Sequence, residues 1–210
     1  MTIEDARRLA LQACLDLAGQ GFLAGTGGNL AVRAGDGLFV VTPSGRDYYG
    51  MVPADLCVLR LDTLEQVEGP YPASVEAGLH ARMLRHRPDV AASVHTHQPM
   101  ASAAALVGEA VPVERPEDRK HLGPQLALVP YGPSGTFLLS RAFGRRIRPD
   151  INAYLLRNHG LVLAGADLAA AVANTARVER VCAAFLRSAI QKTGTGSQAA
   201  RFALANLNQS

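Results

Sequence analysis

The chain of 210 residues contains no tryptophan, and aromatic residues make up only 5% of it. Hydrophobic residues nevertheless account for 48%, so we expect a core built from alanine, leucine and valine. A chain of this length can bury a sizeable core as one domain. We assign residues 1–193 to that domain and the weakly patterned residues 194–210 to a C-terminal tail.

Cysteine is also scarce. Cys14, Cys57 and Cys182 are far apart and include no Cys-x-x-Cys pair, which argues against a zinc knuckle and a disulfide framework and fits a reducing cytoplasm. The N-terminus carries acids where a signal peptide needs basic and then apolar residues. The longest uncharged run, residues 90–108, is interrupted by two histidines, a glutamine and a proline. We therefore predict a cytoplasmic protein without a membrane span.

Lysine is the rarer basic residue, since two of the 21 basic side chains are lysines. The formal net charge is +3, but the arginines are scattered rather than gathered in a tract with aromatic residues. This distribution argues against a nucleic-acid-binding surface. One cluster, Arg145-Arg146-Ile147-Arg148, is expected to be a solvated helix end.

Hydrophobic periodicity predicts helices and strands in alternation. Helices are predicted at residues 3–18, after Ser74 as N-cap, at 100–107, at 135–147 and from Asp167 to about residue 190. Strands are predicted at residues 30–33, 38–41, 57–61, around His95, and at 126–130, 153–156 and 161–163. Residues 109–125 are polar and broken by prolines, so we expect a surface loop there.

Three histidines are candidate metal ligands. Alternate side chains of a strand share one face, so His95 and His97 can reach the same divalent ion. His159 lies between two apolar strands in a turn that we expect Gly160 to permit. Three imidazoles would leave coordination positions open, as a catalytic metal requires. The alternative is histidines bonded only to the backbone.

The other polar positions are less specific. Glu76 follows Ser74 in the first turn of a predicted helix, where the helix dipole stabilises a carboxylate, although ordinary helix acids also occur there. Segments 25–29 and 42–45 offer backbone N–H groups and small hydroxyls for an anion such as phosphate, although each is also typical of a plain turn. His80 lies beside arginines, and we expect it to be solvated or packed at the edge of its helix.

Five motifs in order resemble the class II aldolase/adducin family, which includes fuculose-phosphate aldolase and ribulose-phosphate 4-epimerase. They are Gly-Thr-Gly-Gly-Asn (25–29), Thr-Pro-Ser-Gly (42–45), Ser-x-Glu-x-x-x-His (74–80), His-Thr-His (95–97) and Asn-His-Gly (158–160). The resemblance spans about residues 5–190. It implies an α/β fold, a three-layer α/β/α sandwich with a mainly antiparallel central sheet, usually in a homotetramer with sites between subunits.

The resemblance also implies a function in carbohydrate metabolism. The enzyme would be a metal-dependent aldolase, a lyase that cleaves or forms a C–C bond in a small sugar phosphate through a metal-stabilised enediolate. Glu76 would be the fourth ligand or the general acid/base. The implied metal ligands are His95, His97 and His159, and the implied phosphate-binding residues are Thr26, Gly28, Asn29, Ser44, Gly45 and Ser74. Ligand type favours Zn²⁺, with Mn²⁺ or Co²⁺ as alternatives.

Two positions depart from the family pattern. Val75 stands where the family commonly has serine or alanine. The catalytic tyrosine of fuculose-type aldolases would fall near Pro116, and the segment 115–121 contains no tyrosine. The candidates for a replacement proton donor are Glu117, Asp118, His121 and a group of a neighbouring subunit.

Other reactions use the same metal chemistry. A ketose-phosphate 4-epimerase, a dehydratase and a decarboxylase are therefore alternatives to an aldolase. A non-catalytic, adducin-like scaffold is the alternative of a different class. Binding of metal to the purified protein would separate the scaffold from the enzymes.

Overall fold

The computed structural model describes residues 1–23 and 27–193. Thr26 and the predicted tail lie outside the described residues. The helices are α1 (Ile3–Gly19), α2 (Ala77–His86), α3 (Pro99–Val107), α4 (Pro116–Leu122), α5 (Phe137–Gly144) and α6 (Leu168–Thr193). The strands are β1 (Asn29–Arg33), β2 (Leu38–Val41), β3 (Cys57–Arg60), β4 (Gln66–Glu68), β5 (Ala92–Thr96), β6 (Val111–Pro112), β7 (Gln125–Val129), β8 (Ala153–Leu156) and β9 (Gly160–Gly165).

The described strands form a single sheet in the order β4-β3-β2-β1-β5-β9-β8-β7-β6. Strands β7 and β8 are parallel, and the other neighbouring pairs are antiparallel. The predicted, mainly antiparallel sheet is confirmed. Strand β5 lies at its centre, between β1 and β9.

Helices cover both faces of the sheet because successive strand residues point to opposite sides. Leu30, Val94 and Leu163 face the core beneath α1, α3 and α6. Ala31 and Val162 face the second core, which α2 and α5 cover. The three-layer α/β/α prediction is therefore confirmed. Among the residues described, none of the helices combines the length and apolarity that a membrane crossing needs.

The prediction of a surface loop at residues 109–125 is wrong, because this segment contains β6 and α4. Pro116 takes the first helical position of α4, where the missing N–H has no partner to lose. Leu122 at the end of the helix is buried. The proline that suggested a break is thus the residue that starts the helix.

The predicted start of α2 is also wrong by two residues. Glu76, not Ser74, is the N-cap residue, and α2 begins at Ala77. The Ser74 hydroxyl instead accepts a hydrogen bond from the Glu76 backbone N–H at 3.2 Å. Val75 lies in the turn between them with 67% of its surface exposed. This turn directs the Glu76 side chain inward and the Val75 side chain outward.

Candidate metal centre and active site

The site is built on the central strand β5. His95 near the end of this strand is fully buried, and its Nδ1 lies 2.8 Å from the carbonyl oxygen of Leu161 on β9. Since a carbonyl can only accept, Nδ1 carries the proton and Nε2 presents a lone pair. Sheet pairing therefore fixes both the position and the tautomer of this imidazole.

The structure brings the three predicted histidines together. The ring centroids of His95, His97 and His159 are separated by 4.7, 4.8 and 5.0 Å. Nε2 of His97 lies 2.9 Å from Nε2 of His95, and one ring nitrogen from each histidine lies within 4.8 Å of the others. His97 follows the end of β5 and is exposed, so the cluster opens to solvent on that side.

The turn before β9 differs in detail from the prediction. The left-handed residue is Asn158, with φ 59°, rather than Gly160. Gly160 is required for space: a Cβ there would lie 2.5 Å from the Thr96 carbonyl oxygen and 2.7 Å from Cδ2 of His97. The absent side chain lets β9 approach the end of β5 and places His159 beside the other two imidazoles.

Glu76 completes the cluster from the opposite side. Its Oε2 lies 3.2 Å from Nε2 of His95, and its Oε1 lies 3.3 Å from Nε2 of His159. Asn29 Nδ2 donates to Oε2 and the Ser134 hydroxyl donates to Oε1, both at 2.9 Å. The carboxylate thus has defined contacts on both oxygens while only 6% of the residue is exposed.

The electrostatics favour a charged carboxylate beside neutral imidazoles. Burial raises the pKa of Glu76, but the contact with the His95 imidazole and the hydrogen bond from Asn29 outweigh this effect and hold the pKa below its usual range. Burial and the neighbouring His95 lower the pKa of His97 to about 4 and also lower that of His159. Neutral imidazoles and ionised carboxylates are the forms that bind metal. The donor set therefore fits a divalent ion.

A second group of predicted residues lies at the same end of the sheet. Backbone bonds from Ser44 N to the Pro72 carbonyl (2.9 Å) and from Ser74 N to the Thr42 carbonyl (3.0 Å) hold the two turns side by side. The Ser44 turn continues into Gly45, which has a left-handed φ of 65°. The Ser44 and Ser74 hydroxyls and the Gly45 turn are therefore held close together.

The described end of the glycine-rich segment 25–29 lies beside the histidines. Asn29 is the residue opposite His95 in the β1–β5 pair. A Cβ on Gly28 would lie 2.8 Å from the His95 carbonyl oxygen, and the Tyr48 hydroxyl donates to the Gly28 carbonyl at 2.6 Å. Close backbone packing thus places the end of the glycine segment against the strand that carries the histidines.

Residues 8–186 match the family model described as "Class II Aldolase and Adducin N-terminal domain". The chain belongs to this family. It is 35% identical to the 5-methylthioribulose-1-phosphate/5-deoxyribulose-1-phosphate aldolase of Rhodospirillum rubrum over 86% of this chain and 82% of that protein. It is 39% identical to the 5-deoxy-D-ribulose 1-phosphate aldolase of Bacillus thuringiensis over 70% of this chain and 68% of that protein.

Solved structures agree with the sequence relatives. The crystal structure of YgbL from Klebsiella pneumoniae superposes with a TM-score of 0.80 and 27% identity, covering 94% of this chain and 93% of that one. The predicted family is confirmed, and so is the predicted enzyme class, an aldolase-type lyase.

Two of the residues predicted to replace the catalytic tyrosine as proton donor, Glu117 and Asp118, bond to arginines in this class II aldolase fold. Glu117 accepts from Arg115, and the buried Asp118 lies 3.6 Å from Arg180. The helix α4 that carries both packs against α6 and β7. Neither carboxylate is drawn to the histidine cluster by the contacts that the described residues make.

Two side chains near Glu76, those of His80 and Ser134, were not among the site residues predicted from the sequence. His80 was expected to be solvated or packed at the edge of its helix, which is wrong: it is fully buried between Ser93 and Asn29. A signal was present, because His80 follows Glu76 by four residues and a helix brings such positions to one face. Ser134 carried no such signal, since it reaches Glu76 from a loop 58 residues away.

Proposed function

We propose that the protein is a divalent-metal-dependent aldolase that cleaves a ketose 1-phosphate between C3 and C4, giving dihydroxyacetone phosphate and an aldehyde. The observation that carries the proposal is the contact of one Glu76 carboxylate with two of three converging imidazoles, at 3.2 and 3.3 Å. A proton-transfer group next to a metal centre is the arrangement that this reaction requires.

The histidines provide the metal ligands in this proposal. His95, His97 and His159 hold the ion, and their nitrogen donors favour Zn²⁺, with Mn²⁺ and Co²⁺ as alternatives. When bound, the ion supplies Lewis-acid stabilisation for negative charge that develops on the carbonyl and hydroxyl oxygens of the sugar.

Glu76 moves the proton. In the direction of synthesis its carboxylate removes a proton from the hydroxymethyl carbon of dihydroxyacetone phosphate, and the aldehyde oxygen takes up a proton as the C3–C4 bond forms. In cleavage the C4 hydroxyl loses its proton as that bond breaks to give the aldehyde, and Glu76 delivers a proton to the hydroxymethyl carbon. Hydrogen bonds from Asn29 and Ser134 orient the carboxylate. Its burial excludes water that would otherwise compete for the proton.

The phosphate group is proposed to lie in an anion nest formed by the Ser44 and Ser74 turns. The Ser44 and Ser74 hydroxyls and the Gly45 N–H would contact it, together with Gly28 and Asn29. Thr26 is proposed as a further contact from the family motif. Binding at this nest would place the adjoining carbons towards the histidines, because Glu76 bonds to the Ser74 hydroxyl through its backbone N–H and contacts His95 and His159 through its carboxylate.

The aldehyde end of the substrate is proposed to be apolar. The two relatives act, by name, on 5-deoxy and 5-methylthio sugars, whose terminal carbon lacks a hydroxyl. An apolar wall suits such a terminus, because it offers no partner to a buried hydroxyl.

Substrate cleavage tests this proposal directly. Purified protein would be offered 5-deoxyribulose 1-phosphate, 5-methylthioribulose 1-phosphate and fuculose 1-phosphate, and dihydroxyacetone phosphate would be measured with a coupled reductase. We expect activity that EDTA abolishes and added Zn²⁺, Mn²⁺ or Co²⁺ restores. His95→Ala should lose both bound metal and turnover.

The matched control is His86→Ala, because His86 is exposed on α2 and bonds only to the Arg82 carbonyl in the contacts described. This variant should keep both properties. Epimerised product without dihydroxyacetone phosphate, or CO₂ from a 3-oxo acid phosphate, would replace the aldolase with one of the alternative reactions. An active, metal-loaded His95→Ala protein would contradict the assignment of the metal site.

We also propose a cytoplasmic homotetramer, as in the family resemblance. Large exposed apolar residues near the site support an interface there, among them Val75, Phe137 and Leu138. Light scattering on the purified protein would show a particle of four 22.2 kDa chains. A monomer at micromolar concentration would contradict this.

A further inference from the structure

His80 is a fully buried histidine that carries no role in the proposed reaction. It lies on α2, one turn after Glu76, with no exposed surface. Its Nδ1 is 2.9 Å from the Ser93 hydroxyl, and its Nε2 is 2.7 Å from Oδ1 of Asn29. Asn29 in turn donates from Nδ2 to the Glu76 carboxylate at 2.9 Å. The four side chains form one continuous hydrogen-bonded series.

The direction of each hydrogen bond follows from its end point. The Glu76 carboxylate can only accept, so the Asn29 amide presents its NH₂ group to Glu76 and its oxygen to His80. Since that oxygen can only accept, Nε2 of His80 carries a proton and donates it. Burial lowers the pKa of His80 to about 3, so the ring is neutral and its Nδ1 accepts from Ser93.

These hydrogen-bond directions indicate that His80 helps to orient the Asn29 amide. An Asn29 amide turned over by 180° would point its oxygen at the Glu76 carboxylate and its NH₂ at a His80 nitrogen that already carries a proton. Both contacts would be repulsive. The Nε2–H tautomer of His80 therefore selects the one amide orientation in which Asn29 donates to Glu76.

We propose that His80 is a positioning residue, which aims the Glu76 carboxylate by fixing the orientation of the Asn29 amide. This deepens the proposed function, because the positioned group is the one that moves the proton there. In the contacts that the described residues make, His80 bonds to Ser93 and Asn29 and to none of the three candidate metal ligands. Ser93 closes the series at Nδ1, where its hydroxyl donates to the ring once Asn29 has fixed the proton on Nε2.

Two variants at position 80 test the proposal in the metal-loaded enzyme. His80→Leu fills similar space without a donor and should lower kcat by about 10- to 100-fold with little change in KM, as expected for a misplaced catalytic group. His80→Gln can donate from its amide to Asn29 and should restore most of the lost kcat. Equal losses in both variants would mean that the residue serves packing alone, and would overturn the proposal.

A double-mutant cycle isolates the path through Asn29. If His80 acts only through this amide, the kcat loss caused by His80→Leu disappears in an Asn29→Ala background. Additive losses would overturn the proposal. His86→Leu, on the same helix but exposed, should leave kcat unchanged, and the metal content and melting temperature of each variant would show that the fold persists.

A measurement without catalysis keeps this inference separate from the proposed function. ¹⁵N NMR of the metal-free protein should show His80 as the Nε2–H tautomer, and His80→Leu should shift the Asn29 side-chain amide signals. The Nδ1–H tautomer, or unchanged amide signals, would overturn the positioning role. If the wild-type protein cleaves no ketose phosphate but shows both NMR signatures, the proposed reaction fails while the orientation of Asn29 by His80 stands.

Discussion

The imidazole of His95 donates from Nδ1 to the backbone carbonyl of Leu161, 2.8 Å away across the pair β5–β9. The partner that orients this candidate metal ligand is thus part of the sheet itself, not a separate carboxylate. A change in the spacing of the two strands should therefore alter the site and the stability of the fold together.

Gly160→Ala is a direct test of that spacing. The added Cβ would lie 2.5 Å from the Thr96 carbonyl oxygen, so the strands must separate. We expect a loss of about 1–3 kcal/mol in the free energy of unfolding and weaker metal binding. Urea denaturation and metal titration would measure both. Gly19→Ala is the control, because its Cβ meets nothing within 4 Å, and it should leave metal binding unchanged.

Glu76→Gln should separate metal binding from proton transfer. The three histidines remain, so bound metal should persist, while turnover should fall by about 10²–10⁴-fold because the amide cannot accept the proton. The variant should also lose the exchange of the hydroxymethyl hydrogen of dihydroxyacetone phosphate with D₂O, followed by NMR. The exposed Glu4 in α1 offers a matched control as Glu4→Gln. Normal exchange in Glu76→Gln would assign the proton transfer to another residue.

The buried His80 should make the protein sensitive to acid. Burial lowers its pKa from 6.5 to about 3, so between these values the unfolded chain binds a proton that the native state does not. Its contribution to stability is therefore full above pH 6.5 and is lost as the pH falls towards 3. The free energy of unfolding of the metal-free protein, measured with urea, should fall with decreasing pH in this range. In His80→Gln this fall should be smaller than in wild type by about 1.4 kcal/mol per pH unit.

His86→Gln provides the comparison for this titration, because His86 is exposed on the same helix. Its pH dependence should follow that of the wild-type protein. If wild type and His80→Gln show parallel pH profiles between pH 6.5 and 4, His80 is not held neutral in the native state.

The three cysteines should be unreactive in the native protein. Each is buried and unpaired. Burial raises the pKa of Cys57 to about 11 and raises those of Cys14 and Cys182 as well, so little thiolate exists at pH 8. Mass spectrometry after iodoacetamide treatment should find no modification of the native chain and three in guanidinium chloride. Rapid labelling of a native thiol would show that its region opens.

The motifs that lie within single elements were predictable from the sequence. His95 near the end of β5 and His97 just after it are separated by one residue, and their rings lie side by side as the spacing predicts. Thr2 caps α1 through the Asp5 N–H, and Asp167 accepts from the Ala170 N–H at the start of α6. Here local backbone geometry alone decides which way a side chain points.

The remaining features depend on contacts between distant segments. The arginines that follow His80 suggested solvent, yet Ser93 and Asn29 enclose it from two strands. Ser134 reaches Glu76 from the loop before α5. The nearby sequence carries no information about such partners. Pro116 was misjudged for a local reason, because a proline can break a helix or begin one.

His97 is the exposed member of the histidine cluster, whereas His95 is fully buried. An arriving ion would meet His97 before the other two imidazoles, and a departing ion would leave past it. Chelators of modest size should therefore strip the centre without denaturant, and the emptied protein should reload on simple dialysis. Exchange of one metal for another would then proceed on the folded molecule, which would make a metal-dependent activity responsive to whichever divalent ion the surroundings supply.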